Sequence, residues 1–389
     1  MRKFFAISVI LVGMAVVAGA QDTYEFTTVK ELKITPVKNQ SRSSTCWSFS
    51  GVGLLEAELL RIGKGEYDLA EMFIVNHSYR DKAEKYVRLH GYLNFAEGGS
   101  FADVLYVLKH YGAMPQEAYP GIAYSDTIHR HREMENTATA WLKALITNPN
   151  GQLSLVWQNA FRGIIDAYLG EIPETFSYKG KSYTPKSFGE SLGLNADDYI
   201  SLTSYSHQPL YAPFVMEIPD NWRWAESYNL PLNEFMELFD YALNAGYTIA
   251  WAADVSEEGY TRDGLGVMPD YTVIGTTDAE GKPLSADDKK KKTGELINGP
   301  CKEVEVTPES RQREYDNYQT TDDHGMLIYG IAKDQTGKKF YMVKNSWGTS
   351  TRYKGIWYVS EAFLAAKTIN ITLHKNAVPS AILKKLNIK

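Results

Sequence analysis

The chain has 389 residues, with 41 Lys and Arg against 47 Asp and Glu and a formal net charge of −6 at pH 7. This length is enough for one large domain or two ordinary ones, and the charge gives no reason to expect a nucleic-acid partner. The two cysteines, Cys46 and Cys301, lie far apart without paired histidines, so they do not resemble a zinc signature. We therefore expect no metal and no cofactor.

The first residues of the chain carry a targeting pattern. Arg2 and Lys3 precede a short apolar run and the Ala-Gly-Ala cleavage motif at residues 18–20. The pattern predicts a signal peptide over residues 1–20 and an exported protein, periplasmic or extracellular. No later run is long and apolar enough to span a membrane, so we expect no membrane association after cleavage. A retained N-terminal anchor is the alternative.

A helix is predicted from Cys46 onward, ending near Gly63 and Gly65. Its apolar positions recur at three- and four-residue spacing: Phe49, Val52, Leu55, Leu59 and Ile62. Cys46 would then lie at the helix N-terminus, where free N–H groups and the helix dipole favour a nucleophilic thiolate. Six residues upstream, Gln40 offers an amide that would donate, together with the backbone N–H of Cys46, to a developing oxyanion.

The alternative for the cysteines is a disulfide, which is the simplest expectation for two cysteines in an oxidising compartment. The position of Cys46 at a helix N-terminus favours a free thiol instead. Cys301 would then be a buried strand residue in the segment "CKEVEV". Just before it, the run "DDKKKK", Asp287 to Lys292, is interpreted as a solvated loop.

A β-hairpin is predicted after His324, because two apolar-rich runs flank the turn-like "DQTG". If Lys333 pairs with Lys338, His324 lies two residues from the position opposite Asn345, and both side chains share one face. Asn345 would accept the ring N–H and fix the tautomer, while the other ring nitrogen faces the cysteine. Trp347 would project to the same face and shield the pair from water.

Three motifs together resemble the papain-like cysteine peptidases, in particular the branch of bleomycin hydrolase and aminopeptidase C: "NQSRSSTCWSF", "DDHGM" and "VKNSWG". The resemblance extends over roughly residues 37–377. It implies that Cys46 is the nucleophile and His324 the general base and acid. It also implies that Asn345 orients the histidine and that Gln40 contributes to the oxyanion hole.

The same resemblance implies further residues of the substrate cleft. Gly98 and Gly99, in "EGGSFADVLYVLKHYGAMPQEAYPG", would line the cleft and offer backbone to the substrate. Asp323 directly precedes the histidine, and Trp347 follows Asn345 by two residues. The segment "NAGYTIAWAADVSE" is also similar to that branch.

The fold class implied by the resemblance is α+β, a papain-like two-lobe fold in which a helical lobe carrying Cys46 faces a β-barrel-like lobe carrying His324 and Asn345. Residues 21–389 would form this peptidase domain. His324 and Asn345 follow Cys46 by 278 and 299 residues, whereas the separation in papain is about 130–150. The difference predicts a large insertion at about residues 125–300.

Two features depart from the family pattern. Ser44 occupies a position where the family usually has glycine, and the C-terminal "VPSAILKKLNIK" lacks the tail that makes that branch aminopeptidases. The expected function is a thiol peptidase for peptide substrates, acting as an aminopeptidase or an oligopeptidase. The alternative, supported mainly by Ser44, is a non-catalytic papain-like peptide-binding protein. Members of that branch form hexamers, so a homo-oligomer is a further expectation.

Overall fold

The computed structural model describes residues 23–124, 126–278 and 280–388. The signal peptide predicted for residues 1–20 lies outside the described residues. The helices are α1 (Cys46–Arg61), α2 (Glu71–Arg88), α3 (Phe101–His110), α4 (Arg132–Ile146), α5 (Trp157–Leu169), α6 (Pro185–Leu192), α7 (Leu232–Asn244), α8 (Ala286–Ile297), α9 (Pro308–Asp316), α10 (Glu361–Lys367) and α11 (Ser380–Lys385). The strands are β1 (Phe26–Glu31), β2 (Phe176–Tyr178), β3 (Lys181–Tyr183), β4 (Tyr199–Thr203), β5 (Pro213–Val215), β6 (Glu226–Asn229), β7 (Ile249–Ala253), β8 (Leu265–Gly266), β9 (His324–Asp334), β10 (Lys339–Lys344), β11 (Ile356–Ser360) and β12 (Thr368–His374).

Helix α1 confirms the prediction made from its apolar spacing, since it begins at Cys46 and ends at Arg61. It is buried along almost its whole length because α2 and α3 pack on one side and β7 and β9 on the other. Gly51 permits the close approach of α3, because a Cβ at this position would lie 2.6 Å from Cγ2 of Val104. Helix α1 is thus wedged between the helical layer and the sheet.

The main sheet is mixed, with strand order β5-β6-β4-β12-β7-β9-β10-β11-β8. Strand β9 lies near its centre: β10 pairs along one edge, while β7 and β1 share the other. The β7 sequence "IAWAA" is fully buried because both faces of the strand are covered. Ala250 and Ala252 contribute to the cluster of the helical layer, whereas Ile249 and Trp251 contribute to the cluster around α7. The small alanines let α1 pack closely on the sheet.

The predicted hairpin is present, but its register differs from the prediction. Lys333 pairs with Lys339 rather than Lys338, which by itself would put His324 and Asn345 on opposite faces. A β-bulge at Tyr329 shifts the register by one residue between the turn and the site. The shift restores the common face, so the predicted contact between His324 and Asn345 is present although the predicted turn pairing is wrong.

The α+β fold class is confirmed by the combination of a helical layer with one large sheet. The loop predicted for "DDKKKK" is wrong, because these residues belong to α8, which Ser285 caps by accepting from the N–H of Asp288. The strand predicted at Cys301 is also wrong: the residue lies outside the strands and is partly exposed. Across the part of the chain that is described, no helix is long and apolar enough to cross a membrane.

Candidate active site

The loop before α1 is held against the segment that follows Asn345. The backbone N–H of Gln40 donates to the carbonyl of Ser346 at 2.8 Å, and Asn39 forms a β-bridge with Trp347. The Ser43 hydroxyl donates to the carbonyl of Gln40 at 2.8 Å. These bonds bring the start of α1 to the end of the hairpin although the two are some 300 residues apart in sequence.

A cavity of about 370 Å³ opens at this junction. Seven of the residues singled out from the sequence line it: Gln40, Cys46, Gly98, Gly99, Asp323, His324 and Trp347. Asn345 is buried and contacts His324. A second cavity of about 280 Å³ shares Ser100, Ile218 and Asn370 with the first, so the cleft continues past the nucleophile.

The imidazole of His324 is oriented by Asn345. Nε2 of His324 lies 2.8 Å from Oδ1 of Asn345. The same oxygen accepts from the backbone N–H of Ser346 at 2.7 Å, so the end of the amide that faces the ring is an acceptor. Nε2 therefore carries the ring proton and Nδ1 is left as the base. Trp347 stacks on the ring with the centroids 4.5 Å apart, which shields this hydrogen bond from water.

Gln40 is oriented by a hydrogen bond of its own. Its Oε1 accepts from the hydroxyl of Ser346 at 2.6 Å, and the residue is buried at the edge of the cavity. The acceptor end of the amide is therefore occupied, and the Nε2 group is the end available to donate. A fixed donor beside a nucleophile is what an oxyanion hole requires.

Burial shifts the pKa values of Cys46 and His324 in opposite directions. Although Cys46 is partly exposed to the cavity, its surroundings raise the pKa of the thiol to about 12. The carboxylates of Asp322 and Asp220 raise this pKa further, against the backbone N–H groups of Gly325 and Trp47. Burial also lowers the pKa of His324 to about 4, against the hydrogen bond to Asn345. Burial thus favours the neutral thiol and the neutral imidazole, and it opposes the thiolate expected at the helix N-terminus.

The two glycines are required by close contacts. A Cβ at Gly98 would lie 1.8 Å from Oδ2 of Asp220, and one at Gly99 would lie 2.8 Å from the Trp47 ring. The buried ammonium of Lys82 donates to the carbonyl of Gly98 at 2.5 Å and to that of Ala96 at 2.8 Å. The Lys82 ammonium thus fixes the backbone of the glycine stretch. One acceptor position of the Gly98 carbonyl oxygen is already used.

Asp323 lines the cavity and connects two segments of the chain by hydrogen bonds. Its Oδ1 accepts from the Thr321 hydroxyl at 2.8 Å, and its Oδ2 accepts weakly from the backbone N–H of Val255 at 3.4 Å. Burial raises the pKa of this carboxyl. These contacts support a role in holding the cleft wall, and the residue also faces the cavity.

Ser44 adopts the backbone conformation that glycine takes readily, with φ of 52°. The turn before the nucleophile is therefore formed despite the serine, at the cost of placing a side chain in the left-handed region. Ser44 is exposed and lines the cavity, next to Glu97. The departure from glycine changes the cleft surface rather than the path of the backbone.

Three site residues were not found from the sequence. Asp322 is the first residue of the "DDHGM" motif and lines the cavity, so its position two residues before the histidine was an available signal. Asp220 lines the same cavity, and Tyr260 accepts from Nδ2 of Asn345 at 3.2 Å. Both come from loops between strands, and no local pattern distinguishes them. Neither described cysteine is in a disulfide.

The C-terminal segment lies away from the nucleophile. Ile382 of α11 and Leu386, which directly follows the helix, pack in the cluster around α7, and Lys385 forms a 2.6 Å ion pair with Glu234. Among the described residues, none after Asn370 lines the catalytic cavity. Lys389 lies outside the described residues.

Among the residues that the structure describes, there is no group of three or more potential metal ligands.

Sequence models of known families match both halves of the site. The papain family cysteine protease model matches residues 21–184, which include Gln40 and Cys46. The peptidase C1-like family model matches residues 303–389, which include His324 and Asn345. The chain belongs to the papain family and is a cysteine peptidase of that class. The segment between the matches contains Asp220 and Tyr260.

Individual proteins are similar to this chain over most of its length. Aminopeptidase C of Lactococcus lactis subsp. cremoris is 21% identical over 383 residues, covering 89% of this chain and 82% of the relative. Cysteine proteinase 1, mitochondrial, of Saccharomyces cerevisiae is 23% identical over 404 residues, covering 94% and 80%. The crystal structure of PepW from Lactobacillus rhamnosis superposes with a TM-score of 0.69 at 18% identity, covering 93% of this chain and 84% of that one. The last comparison establishes the fold.

Proposed function

We propose that this chain hydrolyses peptide bonds with Cys46 as nucleophile, His324 as general base and acid, Asn345 as orienting residue and Gln40 as oxyanion donor. The observation that carries the proposal is the 2.8 Å contact between Nε2 of His324 and Oδ1 of Asn345, at the wall of the cavity that Cys46 also lines. This contact leaves Nδ1 of the imidazole free to take a proton.

The proposed reaction begins when Nδ1 of His324 takes the thiol proton and Sγ of Cys46 attacks the substrate carbonyl carbon. The developing oxyanion accepts from the backbone N–H of Cys46 and from Nε2 of Gln40. The imidazolium then gives its proton to the leaving amine, which leaves an acyl group on Cys46. Water, deprotonated by His324, releases the second product and restores the thiol.

The timing of the proton transfer follows from the pKa directions. Burial favours the neutral form of both groups, because it raises the pKa of Cys46 to about 12 and lowers that of His324 to about 4. The proposed ion pair therefore forms as the substrate closes the cleft and the attack begins. We therefore expect Cys46 to react slowly with simple thiol reagents in the absence of substrate.

The substrates are proposed to be oligopeptides, with the cleft open beyond the nucleophile. Support comes from the second cavity, which continues the first, and from α11, which packs on α7. The relatives named aminopeptidase C support removal of N-terminal residues instead. Assaying one peptide with and without N-terminal acetylation decides between them, because an open cleft predicts that the acetylated peptide is cleaved internally.

A non-catalytic peptide-binding protein is the second candidate, favoured by Ser44, which places a side chain at the cavity wall two residues before Cys46. A thiol-directed epoxide whose peptide part fills the cleft separates the two. We expect one equivalent to react with wild type and with Cys301→Ser but none with Cys46→Ser. No reaction of wild type, together with no hydrolysis of a mixed peptide library, would favour the binding protein.

Export and assembly are proposals that rest on the sequence. We propose that residues 1–20 are removed as a signal peptide, so that the mature chain begins at Gln21. N-terminal sequencing of protein made from the full reading frame tests this, and an intact Met1 would contradict it.

A homo-oligomer is a separate proposal. Light scattering of the purified protein measures the oligomeric state.

A further inference from the structure

The cleft around Cys46 is strongly acidic. Four carboxyl side chains line the cavity, whereas no Lys or Arg appears among its described lining residues: the acids are Glu97, Asp220, Asp322 and Asp323. The other titratable groups at its wall are Cys46 and His324. A peptide that enters this cleft therefore meets acidic side chains on several sides.

Asp220 is held in a fixed position beside the glycine stretch. A Cβ added at Gly98 would lie only 1.8 Å from Oδ2 of Asp220. Oδ1 of Asp220 accepts weakly from Nδ2 of Asn94 at 3.3 Å. The loop that carries it is braced by the buried Asn221. That side chain donates to two backbone carbonyls of the loop at 2.9 Å and accepts from the N–H of Ala225 at 2.9 Å. The carboxylate is therefore preorganised at the cavity wall.

Asp322 reaches the same cavity from the segment before His324. Within the described residues it has neither a hydrogen-bond donor nor an ion-pair partner in contact, and Asp220 has no ion-pair partner. The nearby ammonium of Lys82 is buried and donates to the carbonyls of Ala96 and Gly98 instead. Both carboxyl groups are thus available to a group that enters the cleft.

Without a bound cation, the surroundings of these carboxyl groups favour their neutral form. Burial raises the pKa of Asp322 to about 8, and Asp220 and Asp323 raise it further. Burial also raises the pKa of Asp220. A positive charge placed between the two would stabilise both carboxylates in this poorly solvated site. It would also reduce the repulsion that these carboxylates exert on a thiolate at Cys46.

We propose that Asp220 and Asp322 are specificity-determining residues that select peptides carrying a positive charge next to the scissile bond, and that this charge assists the ionisation of Cys46. The inference rests on the proposed peptidase function. The recognised chemistry is an ammonium or guanidinium group, which a peptide can supply from a free N-terminus or from a Lys or Arg side chain. In both cases the charge forms charge-assisted hydrogen bonds with the two carboxylates.

The test compares four peptides that differ only near the scissile bond. They carry either arginine or norleucine on its N-terminal side, and each is made with a free and with an acetylated N-terminus. We expect wild type to cleave the cationic peptides about 10–100-fold better in kcat/KM than the acetylated norleucine peptide. Loss of the preference on acetylation identifies the α-amine as the source, and loss on replacing arginine identifies the side chain. Equal kcat/KM for all four peptides would overturn the proposal.

Variants assign the preference to the two residues. Asp220→Asn and Asp322→Asn retain the shape of the carboxyl group without its charge, and each should reduce the ratio of kcat/KM values between cationic and neutral peptides about tenfold. Asp287→Asn, at an exposed acid in α8, is the matched control and should leave the ratio unchanged. An unchanged ratio in both cleft variants would overturn the assignment.

Binding to a catalytically silent protein separates this inference from the proposed function. In Cys46→Ala, calorimetry should show that the best cationic peptide binds at least tenfold more tightly than its neutral counterpart. The difference should shrink when Asp220→Asn is added, and when salt is raised. This preference can be observed even if wild type proves to hydrolyse nothing. Equal affinities for the two peptides would contradict charge selection whatever the activity.

Discussion

The Nδ2 group of Asn345 donates to the hydroxyl of Tyr260 at 3.2 Å, so the amide that orients His324 is held at both ends. Tyr260 is buried, and its hydroxyl lies 2.9 Å from Sδ of Met326 in β9. An Asn side chain without this acceptor can rotate and present its NH₂ group to the imidazole. That rotation would remove the acceptor that sets the tautomer of His324.

The first prediction is that Tyr260→Phe lowers kcat/KM about fivefold, because one buried hydrogen bond of about 1 kcal/mol no longer orients Asn345. Tyr318→Phe, at a residue 86% exposed, is the matched control and should retain full activity. The pH profile of kcat/KM should also change, since a misoriented amide alters the proton affinity of His324. Unchanged kcat/KM and an unchanged profile would show that Asn345 is held by other contacts.

The second prediction concerns the order of damage among the proposed catalytic residues. Cys46→Ala should reduce peptide hydrolysis below detection, because the covalent route is lost. His324→Ala should cost about 10²–10⁴-fold for loss of proton transfer, and Asn345→Ala about 10–100-fold for loss of orientation. Cys301→Ala serves as the control and should remain active. The inverse order, with Asn345→Ala more damaging than His324→Ala, would count against these roles.

The third prediction concerns acid stability. His131 is fully buried, neither of its ring nitrogens has a hydrogen-bond partner among the described residues, and burial lowers its pKa to about 3. The unfolded chain therefore binds a proton at this residue near pH 6.5, whereas the folded chain does not. The free energy of unfolding falls as pH decreases between about 6.5 and 3, by about 1.4 kcal/mol per pH unit.

Urea unfolding at several pH values measures this slope. His131→Leu should flatten it by that amount, because the variant has no proton to bind in either state. His110→Gln, at an exposed histidine, is the control and should leave the slope unchanged. An equally steep slope in His131→Leu would mean that other groups, such as His77, account for the loss of stability.

The fourth prediction concerns Ser44. Ser44→Gly should change the free energy of unfolding by less than about 1 kcal/mol, because relief of the left-handed backbone is offset by the greater freedom of the unfolded chain. Ser44→Val should lose about 1–3 kcal/mol, because a β-branched residue tolerates this conformation poorly. Thermal unfolding measures both. If Ser44→Gly lost peptidase activity, the hydroxyl itself would be required in the cleft.

The helix of the nucleophile was predictable from the sequence because its apolar spacing is regular, and Cys46 follows from its position at the helix start. The hairpin was predictable in kind but not in register. Its turn pairs Lys333 with Lys339, and only the bulge at Tyr329 returns Asn345 to the face of His324. A bulge depends on contacts with neighbouring strands, which residue alternation within the hairpin does not record.

The residues that surround the catalytic pair were harder to predict. Lys82 has the sequence character of an exposed helix residue, yet α2 buries it against the carbonyls of Ala96 and Gly98. Asp220 and Tyr260 come from loops whose positions depend on tertiary packing rather than on local periodicity. These residues became identifiable only once the fold placed them beside Cys46 and Asn345.

The wedging of α1 between the helical layer and β9 has a consequence for synthesis on the ribosome. Cys46, the proposed nucleophile, is translated 278 residues before His324, the proposed base, so the nascent chain has the thiol without the imidazole for most of its elongation. During that time the side of α1 that later contacts β9 has no partner and remains a target for chaperones. On the proposed mechanism, the growing chain cannot hydrolyse peptides until β9 and β10 have docked against α1.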